Sequence, residues 1–223
     1  ALKTGKPQSE VKHTGRPVFE ELYSEPHRLE QFIEAMAGLS AGNFQRFAQV
    51  FDFSRYQTLC DIGGASGQLS IMVAERHRHM HCTSLDLPVV TDIANRRIIK
   101  SKLSDRVVAR NIDFFNDTYP QADIITMGMI LHDWNLEKKM HLIRSAYNAL
   151  PKDGALVAIE HIIDDARREN VFGLLVSLTM LIELGDGFDF TAADFDQWCR
   201  NVGFRKTEVI PLTGPASAVV AYK

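Results

Sequence analysis

The chain has 223 residues, 45% hydrophobic and 24% charged, an ordinary globular composition for one α/β domain with a short appendage. Its formal net charge of -3 excludes phosphate-backbone binding as the main task, since no basic excess is available to replace counterions. Three scattered cysteines (Cys60, Cys82, Cys199) point to a reducing, cytoplasmic setting without a disulfide framework, and no apolar run reaches the roughly 20 residues that span a bilayer.

Residues 1–16 are polar, rich in Gly, Lys and Pro, and read as a linker or cut edge; no apolar core of a signal peptide is present. Residues 17–52 read as a helical segment, with one helix over Pro26–Leu39 and a second over Asn43–Val50. Leu29, Phe32, Ile33 and Met36 carry the first at helical spacing, and Gly38 lies near its expected end. From residue 53 to 223 the pattern becomes strands alternating with helices. Thr58–Ile62 is a short apolar run stopped by Gly63 and Gly64, and a helix through Leu69, Met72 and Val73 follows. Cys82–Leu87 is the next strand, Val89–Lys100 a helix, and Val107–Ala109 and Asp123–Met127 are further strands. Asn135–Leu150 is a long amphipathic helix and Ala155–Glu160 the fifth strand, so the sheet is mostly parallel with helices on both faces.

After helix Val171–Leu184 and another starting at Thr191, which forms a capping box with Asp194, the alternation ends. Lys206–Ile210 and Ala218–Tyr222 are separated only by a short Pro/Gly turn. A parallel crossover needs a dozen residues or more, so these two strands are an antiparallel hairpin. Arg76/Arg78 and Arg96/Arg97/Lys100 read as solvated helix faces. His77, His79 and His81 beside Cys82 lack the spacing of metal ligands, and no metal site is expected.

Asp61-Ile62-Gly63-Gly64-Ala65-Ser66-Gly67 is the strongest local signal, a strand-to-helix turn whose small residues let a ligand approach the backbone. Asp86 ends the following strand, where a carboxylate can accept from a ribose diol. The turn by itself serves a dinucleotide or an S-adenosyl cofactor. Ala65 at its third position, and a reversed hairpin in place of an all-parallel sheet, favour the second.

Gly128-Met129-Ile130-Leu131-His132-Asp133-Trp134 resembles the Leu-His-Asp-Trp signature of small-molecule O-methyltransferases of the plant caffeic acid and bacterial polyketide-tailoring type. In the same order come Asp86-Leu87-Pro88, Asp113-Phe114-Phe115, Ala149-Leu150-Pro151, Glu160 and Gly203-Phe204, so the resemblance runs from about Phe19 to Lys223. It implies a class I methyltransferase (Rossmann-like) fold, α/β, with a seven-stranded sheet ending in the antiparallel hairpin. The implied cofactor is S-adenosylmethionine, with S-adenosylhomocysteine as its product form, and the implied partner a small-molecule hydroxyl acceptor, aromatic or polycyclic. Nucleic acid and membrane are not implied.

The resemblance places Ser40, Asp61, Gly63, Gly64, Gly67, Asp86, Leu87, Asp113, Phe114 and Gly128 at the cofactor; plant members often carry Lys near position 128, so here that contact is through backbone. Phe32, Met36, Met129, Asp133 and Met180 fall beside the acceptor. His132 matches the general base, Glu160 its orienting carboxylate, and Asp189 a second acid, shorter by one methylene than is usual. Asp133 is expected mainly to cap the following helix, and Glu183 to face solvent. Residues 17–52 are expected to close over the cofactor. Full-length members carry an N-terminal helical dimerisation domain, so the resemblance implies that this chain lacks it and that the full-length protein is a homodimer. Three other readings remain: a tailoring hydroxylase or decarboxylase that keeps the cofactor, a non-catalytic cofactor-binding module, and a nicotinamide-dependent oxidoreductase.

Overall fold

The computed structural model describes residues 1–4, 6–9, 13 and 15–223; part of the expected linker over residues 1–16 therefore lies outside the described residues. A short helix, α1 (Val18–Ser24), precedes the expected ones. Only its Leu22 is buried, so its sequence carries no periodic signal. Pro26 then opens α2 (Pro26–Val50), one continuous helix where two were expected. Gly38 does not end it, because the buried row Leu29, Ile33, Ala37, Phe47 and Ala48 continues in register on either side. Burial along that row outweighs the roughly 1 kcal/mol that a glycine costs in a helix.

The remaining elements lie within a few residues of the expected ends. They are β1 (Thr58–Ile62), α3 (Gln68–Arg76), β2 (His81–Asp86), α4 (Pro88–Ser101), β3 (Val107–Asn111) and β4 (Ile124–Gly128). A single 3-10 turn (Leu131–Asp133) leads to α5 (Leu136–Ala149), β5 (Ala155–Glu160), α6 (Val171–Glu183), α7 (Ala192–Val202), β6 (Lys206–Pro211) and β7 (Ser217–Tyr222). The sheet order is β3-β2-β1-β4-β5-β7-β6. Strands β1 to β5 pair in parallel, and β7 runs antiparallel to both β5 and β6, as the short hairpin turn requires. The Thr191–Asp194 capping box forms in both directions, at 3.0 Å each way.

Every residue of β5 is buried, which gives a continuous apolar run rather than an alternating one. Leu156 and Ala158 face Leu142, Ile143 and Ala146 of α5 and Phe195 of α7. Val157 and Ile159 face the opposite cluster, with Phe47 of α2, Leu69 of α3 and Ile98 of α4. His77 Nε2 lies 2.8 Å from the Ala48 carbonyl and His79 Nε2 3.1 Å from that of Phe53, so these imidazoles tie the end of α2 to the entrance of β2.

A third, smaller cluster holds α1 and α2 against α4 through Leu22, Leu29, Ile33, Val90 and Ile93. Arg96 and Arg97 are more than solvated faces: they reach Glu30 and Glu34 of α2 at 2.7 and 3.8 Å. Surface pairs of this kind contribute about 0–1 kcal/mol, so the apolar cluster does most of the holding.

Candidate active site

The strand order reverses between β1 and β4, and in such sheets the ligand crevice opens at the carboxyl ends of the strands flanking that point. Gly63 leaves β1 with φ +67°, and a Cβ there would stand 2.3 Å from Ile130 Cδ1. At Gly64 a Cβ would meet Ser84 Oγ at 2.2 Å. Ala65 adopts φ +46°, unfavourable for a residue with a side chain, and its N–H donates to Asp86 Oδ2 at 3.0 Å. The Leu87 N–H donates to the other oxygen, Oδ1, at 2.8 Å. Burial pushes the Asp86 carboxyl up to about 6 against these two bonds. Both its oxygens are thus oriented, and each retains accepting capacity.

Asp61 lies beneath this turn, where it accepts from Thr126 Oγ1 of β4 at 2.7 Å; burial pushes its carboxyl up to about 7. Asp113 accepts from the Phe115 N–H at 3.0 Å and from Asn116 Nδ2 at 2.8 Å, bonds that hold its carboxyl below the usual range. The Phe114 ring lies 3.9 Å from where a Gly63 side chain would begin. Phe114, Phe115 and Trp134 form an aromatic wall, and Phe19 of α1 reaches Trp134 with ring centroids 6.0 Å apart. Gly128 accommodates Phe44 of α2, whose ring carbons would be 2.9 Å from a Cβ. Met129, the next residue, has φ +57°, so both chain exits flanking the crevice carry a side-chain-bearing residue in the left-handed region.

Beyond this turn, His132 sits on the 3-10 turn and is 5% exposed. Its Nδ1 lies 3.4 Å from Glu160 Oε2 and 3.6 Å from Asp189 Oδ1, while Nε2 lies 3.3 Å from Asp133 Oδ1. Glu160 is fixed from the other side, where its Oε1 accepts the N–H of Ile130 at 3.2 Å and of Leu131 at 2.9 Å. The Asp189 N–H donates to Ser177 Oγ of α6 at 3.0 Å.

Burial opposes a charge on His132, but Glu160, Asp133 and Asp189 together outweigh it and raise its proton affinity. Burial likewise raises Glu160, against the pull of His132, and lifts Asp133 to about 6. One atom each of His132, Glu160 and Asp189 lie within 4.8 Å of one another, close enough for a metal ion or for proton exchange within the group.

Asp133 does not cap α5. That role falls to Asn135, whose Oδ1 accepts the Lys138 N–H at 3.0 Å and frees the Asp133 carboxylate to face the imidazole. Glu183 is exposed, as expected. Phe32, Met36 and Ser40 stand one turn apart on α2; Phe32 is 38% exposed, and Met36, Ser40 and Met180 of α6 are partly buried. None of the hydrogen bonds or ring contacts of the His132 group described above reaches these four. Sequence reasoning overlooked Lys139, which is fully buried beside the group. Its signal was its place on the apolar face of α5, one turn before Leu142 and Ile143.

This topology, with a reversed last pair of strands and a glycine turn and acidic residue at the switch point, defines the class I methyltransferase fold. The profile of the O-methyltransferase domain family matches residues 1–205, and the chain belongs to that family. It is 31% identical over 201 residues to the tetracenomycin polyketide synthesis 8-O-methyl transferase TcmO of Streptomyces glaucescens, covering 90% of this chain and 59% of that protein. Against 3-hydroxy-5-methyl-1-naphthoate 3-O-methyltransferase of Streptomyces sahachiroi it is 30% identical over 223 residues, covering 99% and 63%. Among solved structures, human N-acetylserotonin methyltransferase in complex with SAM superposes with a TM-score of 0.90 at 25% identity, covering 100% of this chain and 64% of that one. The mitomycin 7-O-methyltransferase MmcR gives a TM-score of 0.91 at 28% identity, covering 100% and 65%. The chain therefore spans less than two thirds of the length of these relatives.

Proposed function

We propose that the protein transfers the methyl group of S-adenosylmethionine to a hydroxyl of a small aromatic or polycyclic molecule, with His132 as general base. The observation that carries this is the buried imidazole with carboxyl groups at both nitrogens, set 4 residues beyond the end of β4. The names of the relatives, which methylate oxygens of polyketide and naphthoate skeletons, support the acceptor class.

The crevice suits the cofactor. A Cβ at Gly63 would meet Ile130 and one at Gly64 would meet Ser84 and Asp61, so the turn keeps its close course only with glycine, and the oriented Asp86 carboxyl offers its remaining lone pairs to a ribose diol. By the family resemblance, Gly67, Leu87, Asp113, Phe114, the Gly128 backbone, Asp61 and Ser40 are assigned to the same cofactor site. When bound, the cofactor supplies an electrophilic methyl on a sulfonium, which needs no metal. Helices α1 and α2 cover it, held by the cluster around Leu22 and Ile33. Phe32, Met36, Met129 and Met180 border the acceptor.

A phenol with a pKa near 10 is a poor nucleophile at neutral pH, so its proton must leave as the bond to carbon forms. Glu160 and Asp189 assign the Nδ1 proton, leaving Nε2 to receive that of the acceptor. The carboxyl groups then stabilise the imidazolium, and Asp133 faces the nitrogen that has gained the proton. Replacing His132 with Ala should lower methyl transfer about 10²–10⁴-fold while calorimetric binding of S-adenosylhomocysteine is unchanged. Undiminished turnover in a fully cofactor-competent variant would sink the base assignment.

The same reading includes a homodimer in the cytoplasm. Support comes from three free, buried cysteines and from the apolar outer face of α6, where Val171, Phe172 and Leu175 are exposed. Sedimentation equilibrium tests the dimer directly. Among the described residues, no helix is long and apolar enough to cross a membrane.

A further inference from the structure

Lys139 occupies an expensive position. It is fully buried on the apolar face of α5, near the helix N-terminus, where both desolvation and the helix dipole oppose a positive charge. Its surroundings account for all three ammonium protons. Nζ donates to the carbonyl oxygens of Trp134 and, at 2.8 Å, of Phe188, and lies 3.4 Å from the centroid of the Phe188 ring.

The two acceptors lie in different parts of the chain. Trp134 is two residues beyond His132, and Phe188 immediately precedes Asp189. Nearby contacts join the same two segments: Asn135 Nδ2 donates to Asp186 Oδ2 at 2.8 Å, and a Cβ on Gly187 would lie 2.8 Å from the carbonyl oxygens of His132 and Asp133. The segment bearing Asp189 is thus laid flat on the turn bearing His132, and Lys139 is the cross-tie beneath them.

The charged and titratable groups around it come from every neighbouring element: His132 and Asp133 from the turn, Glu160 and His161 at the end of β5, Glu183 at the end of α6, and Asp186 and Asp189 before α7.

We propose that Lys139 is a positioning residue for His132: it ties the turn bearing the base to the segment carrying Asp189 and so holds that carboxylate 3.6 Å from Nδ1. This rests on His132 being the base. Burial lowers the Lys139 ammonium to about 8 against the pull of Glu160, Asp189, Asp133 and Asp186, so it stays largely charged at neutral pH.

The test is histidine NMR of the whole chain, comparing wild type with Lys139→Met, which keeps the side-chain length but removes charge and donors. With Asp189 no longer held beside Nδ1, the His132 titration midpoint should fall by about one pH unit, the order expected on losing one carboxylate neighbour. A midpoint that stays where it is in wild type, in a folded variant, overturns the proposal. Should that variant fail to fold, Lys139→Gln, whose polar end is too short to join both carbonyls, is measured in its place. It should lower the His132 midpoint in the same direction, and an unmoved midpoint overturns the proposal equally.

In a full-length enzyme, the acid limb of the kcat profile of Lys139→Met should shift downward with the NMR midpoint, while affinity for S-adenosylhomocysteine stays within about threefold. An NMR shift without movement of the kinetic limb leaves the coupling standing and removes His132 as the base, so the two readings fail separately.

Discussion

Glu160→Gln removes one charge from the active-site group while leaving its shape intact, and the structure dictates how the amide must sit. Glu160 Oε1 accepts two backbone N–H groups, from Ile130 and Leu131 at 3.2 and 2.9 Å, and only an oxygen can occupy that position. The amide nitrogen of Gln is then forced to the Oε2 position, 3.4 Å from His132 Nδ1, where it can only donate. Nδ1 becomes the acceptor, the imidazole proton moves to Nε2, and the nitrogen facing the acceptor no longer has a lone pair to offer. Asp189, 3.6 Å from the same Nδ1, can restore part of the correct tautomer. The expected loss in kcat is therefore about 10²–10³-fold, short of the roughly 10⁴ that a wrong tautomer costs in a serine-protease triad. Because both backbone donors keep their partner, the melting temperature should change little. Glu160→Ala is the contrast, since it strands two buried N–H groups at about 1–3 kcal/mol each. The assay is transfer of labelled methyl to a phenolic acceptor at saturating cofactor, with calorimetric titration of S-adenosylhomocysteine alongside. A Glu160→Gln enzyme within about threefold of wild type would refute the tautomer argument, since Asp189, the more distant carboxylate, restores the Nδ1 proton only in part.

Gly63→Ala places a methyl 2.3 Å from Ile130 Cδ1 at φ +67°, whereas Gly214→Ala meets nothing within 4 Å at φ +53°. Both should lose about 1–2 kcal/mol to backbone strain in thermal denaturation, but only the first should lose S-adenosylhomocysteine affinity, by more than about tenfold. Stability should also depend on pH. Burial holds Asp61 up to about 7 and Asp86 and Asp133 up to about 6, against an ordinary 3.8, so the folded chain binds more protons than the unfolded one between these values. Their contribution is full below the unfolded pKa and is lost as pH rises through the folded values, so the cofactor-free protein should melt lower at pH 8 than at pH 5. Asp61→Asn should flatten that slope in calorimetric scans, and an unchanged slope would remove Asp61 from the account. Finally, the His132, Glu160 and Asp189 atoms within 4.8 Å of one another are read as an acid–base group, so exhaustive chelation should leave turnover unchanged. Loss of activity that zinc restores would reassign the group as a metal centre.

Much of this protein follows from local pattern. Alternation and apolar runs place all seven strands, because a strand buried on both faces or between helices leaves its mark on consecutive residues. The five residues between β6 and β7, 212 to 216, suffice to reverse the last strand, since no crossover fits so short a link. The glycine turn, Asp86 and the Leu-His-Asp-Trp segment are likewise local, and they identify the family before any packing is known. Other features depended on the competition between neighbours in space. Gly38 reads as a helix end until the buried face of α2 carries the helix through it. Asp133 reads as a cap until Asn135 takes the N-terminal N–H and leaves it facing the imidazole. Lys139 stands on the apolar face of α5, yet no property of an isolated sequence shows that two carbonyls from distant segments will close around it. Helix and strand periods are set by a residue and its near neighbours, whereas the protonation of His132 is set by carboxyl groups 28 and 57 positions away that meet it only in the packed fold.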